Sequence, residues 1–267
     1  MDLLAYINWS VSPEIFKLGP FSIRWYGLLF ALGFIVGYQI MFYIFKLEKK
    51  KQKDLEALTI TMILGTVIGA RLGHCLFYEP EYYLSHPIEI LTVWHGGLAS
   101  HGAAIGIALA LWYYVRKRPD ISMVWILDRI GIVTALAGCF IRLGNFFNSE
   151  ILGSPADNPW SVVFTRIDQI PRHPAQLYES ISYLAIFIIL FLIYRGKKGK
   201  TAPGLLFGLF FLLVFGMRFI IEFFKDVQVD FERTMTLNMG QLLSIPLILI
   251  GIAFIIYSFK KKQITHK

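Results

Sequence analysis

The chain has 267 residues, of which 56% are hydrophobic and only 16% charged, with a formal net charge of +8 at neutral pH. The charged share falls well below the roughly 25% of an average soluble domain, and the mean hydropathy of +0.58 excludes an ordinary water-soluble fold. Lys and Arg punctuate apolar blocks instead of forming one basic surface, so the charge reports membrane topology and not a nucleic-acid partner.

The opening residues, MDLLAYINWSVSPEIF, lack the basic stretch and small-residue cleavage site of a signal peptide. The mature chain is therefore expected to keep its start. Apolar runs long enough to cross about 30 Å of hydrocarbon then follow near residues 22–45, 55–78, 97–115, 121–141, 176–194, 203–222 and 239–259. They leave no stretch for a separate soluble domain, and one membrane-embedded domain over residues 1–267 is expected.

Basic clusters follow alternate spans: KLEKKKQK (46–53), RKR (116–118), RGKKGK (195–200) and KKKQITHK (260–267). They hold 16 of the 26 Lys and Arg residues, and the positive-inside rule assigns that side to the cytoplasm. The predicted fold is an all-α integral membrane protein of seven transmembrane helices, with the N-terminus outside and the C-terminus cytoplasmic. The opposite loops, near 79–96, 142–175 and 223–238, are longer and rich in Pro, Trp, Tyr and His. Such composition suits outer-face loops and re-entrant segments. No internal repeat is visible. Cys75 and Cys139 each lie inside an apolar block without ligand-like spacing, so both are predicted packing residues.

Ionisable groups in spans are costly and usually face the protein interior or a wet cavity. Arg71, His101, Arg142, Arg218 and Glu222 gather toward the outer ends of four spans. Arg71 can snorkel to lipid phosphates, pair with Glu79 or support a site. Asp128 and Arg129, two turns into the fourth span, suit structural pairing with a neighbouring helix. His95 and His101 flank the glycine-rich segment HGGLASHG, where the glycines permit close backbone or lipid approach.

The segment IRLGNFFNSEILG (141–153) clusters Arg, two Asn and Glu where the fourth span meets the surface, with Gly144 and Gly153 permitting tight turns. One Asn would serve as a helix cap. Four polar groups exceed that need, and a guanidinium beside amides can cradle a phosphate ester. In RHPAQLYES (172–180), Pro174 sits near the first turn of the fifth span, with Gln176 and Glu179 just beyond it. A helix-capping role accounts for that pattern.

Seven pieces in register, RWYG (24–27), GARLGHCLFY (69–78), WHGGLASHG (94–102), RLGNFFNSEILG (142–153), RHPAQLYE (172–179), RFIIEFFKD (218–226) and MGQLLSIP (239–246), carry a near end-to-end resemblance to prolipoprotein diacylglyceryl transferases. The resemblance implies transfer of a diacylglyceryl group from phosphatidylglycerol to the lipobox cysteine of a preprolipoprotein, forming a thioether and releasing glycerol phosphate. It implies a multi-pass protein of the bacterial inner membrane, with its site toward the outer leaflet among membrane lipids. His101, Arg142 and Arg218 fall on the catalytic positions, and Tyr26, Asn145, Asn148, Glu150 and Gly153 join both arginines as substrate-binding positions.

The implied chemistry fits these residue types. A histidine can accept a thiol proton near neutral pH, and guanidinium groups can hold the departing phosphate. No metal or organic cofactor is implied, because the lipid is itself the activated donor. Two departures stand out: Ile141 replaces a family Gly before Arg142, and Val214 replaces a family Tyr four residues before Arg218. A hydroxyl found elsewhere in the family is then absent here, unless another residue such as Tyr26 or Tyr178 substitutes for it. A transporter or lipid-binding protein without chemistry is the main alternative, although repeated halves and a midplane site are not evident. An intramembrane protease lacks its nucleophile pattern.

Overall fold

The computed structural model describes residues 6–19, 21–93, 96–227, 232 and 234–265. In chain order the elements begin with strands β1 (Ile7–Trp9), β2 (Glu14–Leu18) and β3 (Phe21–Arg24), followed by helices α1 (Trp25–Leu47), α2 (Gln52–Phe77) and α3 (Pro80–Ser85). A 3₁₀ turn over Pro87–Leu91 precedes α4 (Ser100–Arg116) and α5 (Met123–Asn148). Next come β4 (Val162–Phe164), β5 (Pro171–Arg172), α6 (Ala175–Gly196), α7 (Leu205–Ile221) with a 3₁₀ turn over Glu222–Phe224, and α8 (Met239–Thr265).

Six helical segments, α1, α2, α5, α6, α7 together with its 3₁₀ turn (Leu205–Phe224) and α8, are long and apolar enough to cross a membrane. The predicted third span coincides with α4, whose 17 residues rise only about 25 Å at 1.5 Å per residue. The chain forms two compact units, Met1–Met41 with Leu127–Lys267, and Phe42–Ile126.

In the Phe42–Ile126 unit, α2 and α4 pack through glycines. A Cβ added at Gly65, Gly69 or Gly73 on α2, or at Gly102 or Gly106 on α4, would approach the opposing helix closer than 3.0 Å. Two apolar helices gain little hydrophobic free energy from meeting in lipid, so small residues that let backbones touch supply the dispersion contact instead. At the basic-loop end, Arg118 Nε donates to Asp54 Oδ1 at 2.8 Å and Tyr114 Oη to the Asp54 carbonyl at 2.9 Å.

In the other unit, Asp128 and Arg129 have structural partners. The fully buried Asp128 carboxylate accepts the backbone N–H of Gly204 at 2.8 Å and of Phe207 at 2.9 Å. It thereby satisfies donors that the first turn of α7 would leave orphaned in an apolar setting. Arg129 Nη2 donates to the Gly199 carbonyl at 3.1 Å, in the turn before α7. Cys139 also serves packing, its sulfur 3.2 Å from Ser180 Oγ.

The segment 142–175, expected as an outer-face loop or re-entrant segment, contributes two strands to a small sheet. Its order is β1-β4-β5, with β1 parallel to β4 and β4 antiparallel to β5. Phe146, Val162 and Phe164 form its core, with Trp9, Leu152 and Leu177 against them. Strands of two to five residues are too short to print a readable alternation.

Arg172 fastens the sheet's edge, with Nη2 2.7 Å from Asp168 Oδ2 and Nη1 2.7 Å from Asp226 Oδ2. The hydrogen bond from Arg172 holds the Asp168 carboxyl below its ordinary range. A carboxyl whose folded value is depressed contributes stability that is full above its unfolded value, about pH 4, and lost as pH falls through the lower folded value. Limited proteolysis of residues 154–172 is therefore expected to accelerate as pH drops below about 4. Asp168→Asn should raise cleavage at neutral pH and flatten that dependence, and an unaltered profile in the variant would remove Asp168 from the explanation.

Candidate active site

The second turn of polar chemistry begins where α5 ends. Ser149 and Ile151 both adopt positive φ, +56° and +55°. A β-branched residue in that region is strained. The two bends turn Glu150 back on its own helix, where its carboxylate accepts from Asn145 Nδ2 at 3.1 Å and Asn148 Nδ2 at 3.0 Å. The Glu150 backbone is held as well: its N–H donates to the Asn145 carbonyl at 3.0 Å, and its carbonyl accepts from Gln176 Nε2 at 2.6 Å.

Arg142 lies one turn earlier on α5. Its Nε is 3.0 Å from Glu179 Oε2, and its Nη1 donates to Asn145 Oδ1 at 3.4 Å. Glu179 is 0% exposed and also receives Lys225 Nζ at 3.1 Å and Tyr183 Oη at 3.3 Å. Lys225 in turn lies 2.7 Å from Glu222 Oε2. A chain of alternating charges, Arg142, Glu179, Lys225 and Glu222, thus links the ends of α5, α6 and α7. Each charge has a partner close enough to offset the cost of leaving water.

Arg218 differs. Half-buried on α7, it lies within electrostatic range of the Tyr183 hydroxyl, as does Arg142. The Arg218 guanidinium nevertheless has no hydrogen bond or ion pair to any described residue. A guanidinium presents five donors in a planar fork that matches phosphate. One arginine is therefore held by protein carboxylate while the second keeps its donors for something else.

The remaining predicted residues fall as follows. Tyr26, on the first turn of α1, lies within electrostatic range of Glu150 and Arg142. Gly144 makes no turn: it is inside α5, where a Cβ would come 2.8 Å from the Tyr26 ring. Gly153 makes no turn either. It pairs with Lys225 in an isolated antiparallel bridge, and any Cβ there would collide with the His173 carbonyl. That bridge places Lys225 beside the segment carrying Glu150, so Gly153 matters for close approach.

His101 and Arg71 belong to the Phe42–Ile126 unit. His101 is exposed on the first turn of α4, with its ring 5.7 Å from Phe77 and 5.6 Å from Tyr78, centroid to centroid. Arg71 neither snorkels nor pairs with Glu79. It is 3% exposed and bonded to backbone carbonyls, whereas Glu79 faces His74 at 3.8 Å. His95 lies outside the described residues.

Glu179, Lys225 and Tyr183 were not among the residues singled out by sequence for the site. Glu179 and Lys225 lie inside the RHPAQLYE and RFIIEFFKD pieces, so their signal was present in the resemblance. Tyr183 carries a hydroxyl within electrostatic range of both arginines. The hydroxyl beside both arginines is neither that of Tyr26 nor that of Tyr178, which instead accepts from Trp160 Nε1 at 2.9 Å.

A family model of prolipoprotein diacylglyceryl transferase matches residues 13–257. The chain belongs to that family. It is 52% identical over 95% of its length to the phosphatidylglycerol–prolipoprotein diacylglyceryl transferase of Tolumonas auensis, covering 98% of that protein. It is 52% identical over 99% of its length to the protein of the same name from Chloroherpeton thalassium, covering 98%. The like-named Bacteroides fragilis protein is 44% identical over 98% of this chain and 99% of its own. Family membership accounts for the seven sequence pieces as parts of one protein, including the paired Glu179 and Lys225.

Proposed function

We propose that this chain transfers the diacylglyceryl group of phosphatidylglycerol to the lipobox cysteine thiol of preprolipoproteins, acting as one membrane-embedded transferase. Full-length similarity to proteins of that name supports the reaction. The observation that carries the site is the pairing pattern of its arginines: Arg142 is anchored by Glu179, and Arg218, near the same tyrosine hydroxyl, has no hydrogen bond or ion pair among the described residues.

The thiolate sulfur attacks the glycerol carbon that bears the phosphate. A carbon–sulfur bond forms, the carbon–oxygen bond breaks, and glycerol phosphate departs with the electron pair. Arg218 grips the phosphate directly, and Arg142 adds fixed positive potential, stabilising the charge that builds on the leaving oxygen. Tyr26, Asn145, Asn148, Glu150 and Gly153 shape the lipid side of the site. Asn148 Oδ1 is buried without a hydrogen-bond partner among the described residues, an acceptor suited to a hydroxyl of the glycerol headgroup. His101 takes the thiol proton, a task for which an imidazole is chemically suited near neutral pH.

The topology belongs to the same proposal. With α4 as the seventh crossing, the N-terminus lies outside and the C-terminus in the cytoplasm of a bacterial inner membrane, and the site faces the outer leaflet. The basic clusters after alternate helices support this orientation.

Purified protein in phosphatidylglycerol vesicles is expected to place one diacylglyceryl group on the cysteine of a lipobox peptide, read by mass spectrometry. His101→Gln is expected to lower the rate and remove the acidic limb of its pH dependence, since an imidazole that must be neutral to accept a proton produces that limb. Solute flux across sealed vesicles without a covalent product would instead identify a transporter.

A further inference from the structure

The Phe42–Ile126 unit contains a buried cation outside the network described above. Arg71, on the last third of α2, is 3% exposed and has no carboxylate partner among the described residues. Its donors go to the segment leading into α4. Nε donates to the Ile90 carbonyl at 2.9 Å, and Nη1 to the carbonyls of Gly96 at 2.8 Å and Gly97 at 3.2 Å. Nη2 donates to the Glu89 carbonyl and reaches Thr92 Oγ1 at 3.5 Å. Tyr83 covers the guanidinium, its ring centroid 4.9 Å from Cζ.

One side chain thus ties residues 89–92 to residues 96–97. A lysine has three donors on one nitrogen and cannot reach both limbs in this plane; the guanidinium fork can. The glycines answer to the same geometry. Gly97 has φ +67°, and a Cβ there would lie 2.7 Å from Arg71 Nη1 and 2.6 Å from the His74 ring. Next to Arg71, the Ala70 carbonyl accepts the Ala99 N–H at 2.9 Å, immediately before α4 begins at Ser100. His101 is the second residue of that helix. It makes ring contacts with Phe77 and Tyr78 but no hydrogen bond to a described residue. With no hydrogen bond to a described residue to orient it, the imidazole is located by those ring contacts and by where its backbone is put.

We propose that Arg71 is a positioning residue for the transfer reaction: its buried guanidinium locks Glu89–Thr92 and Gly96–Gly97 onto α2 and so fixes the start of α4 and the location of His101. This rests on the transferase activity proposed above and on His101 as proton acceptor. Arg71 itself touches neither lipid nor thiol. Its loss should therefore slow turnover without weakening lipid binding, because small misplacements of a reacting group cost rate disproportionately.

Arg71→Lys keeps the charge and loses the fork. In phosphatidylglycerol vesicles this variant is expected to lower kcat by about ten- to a hundredfold, with KM for the lipid within about threefold of the unaltered protein. Hydrogen exchange should speed up at residues 89–93 and 96–99, with the interior amides of α2 and α4 unchanged. Arg118→Lys, which perturbs the ion pair with Asp54 at the other end of the unit, should leave both readouts as they were. Unchanged kcat, unchanged exchange at 89–99, or an equal loss from Arg118→Lys would each overturn the proposal. Absence of transfer by the unaltered protein would overturn the activity assignment instead, and exchange would still report whether Arg71 holds the segment.

Discussion

Arg218→Ala is expected to reduce kcat/KM for diacylglyceryl transfer by a hundredfold or more, about 3 kcal/mol of lost transition-state stabilisation, while leaving the fold intact. The two halves of that expectation come from one observation. Arg218 has no hydrogen bond or ion pair to described residues, so truncating it strands no buried carboxylate and opens no network. Stability should shift by no more than about 0.5 kcal/mol, as for a side chain without structural partners. Among the described residues its donors meet no acceptor, which leaves them for phosphate, and the phosphate oxygens gain charge as the carbon–oxygen bond breaks. Arg218→Lys supplies the charge without the bidentate fork and should fall between the two. The measurement is initial rate against lipid concentration, paired with thermal melts in the same detergent. Transfer within about threefold of the unaltered rate in Arg218→Ala would remove this residue from the mechanism.

Much of the scaffold was legible because lipid makes strong demands on sequence. A helix crossing a membrane must satisfy its own backbone, so six long apolar runs and their basic flanks announce themselves. The seventh run coincides with α4, which has 17 residues; α7 is as short but runs on through its 3₁₀ turn to Phe224. The Arg142 to Gly153 segment was readable for a different reason: its contacts are local. Asn145, Asn148 and Glu150 bind one another within five residues, so their clustering in sequence is their clustering in space.

What was hidden depends on packing between distant elements. Glu179 looks like a first-turn residue of α6 until α5 brings Arg142 to it, and nothing in the pattern says whether Arg142 or Arg218 receives the carboxylate. Gly144 reads as a turn former beside polar residues, but α5 continues to Asn148 and the glycine accommodates the Tyr26 ring. Arg71 was ambiguous because its partners are main-chain carbonyls, which carry no residue-type signal. The short strands β1, β4 and β5 escaped for a related reason: their pairing joins residues 7–9 to 162–164, far beyond any local window.

The largest effect on stability is expected from Glu179→Gln. The carboxylate sits fully buried between Arg142 and Lys225, and the substitution keeps its size but removes the charge that offsets both cations. Lys225 retains Glu222 at 2.7 Å. Among the described residues Arg142 retains the amide oxygen of Asn145 and the nearby hydroxyl of Tyr183, neither of which neutralises it. Breaking a buried pair by deleting one member typically costs about 3 to 5 kcal/mol. The lower end applies here, since the Arg142 side chain keeps 15% exposure and so some hydration. Lys225→Gln should cost less, because Glu179 still faces Arg142. The order of the two losses discriminates: a carboxylate that anchors Arg142 makes Glu179→Gln the worse variant in both melting temperature and transfer rate. If Lys225→Gln proved equal or worse, the cluster would be organised around the lysine, and Arg142 would owe its placement to Asn145 and Tyr183.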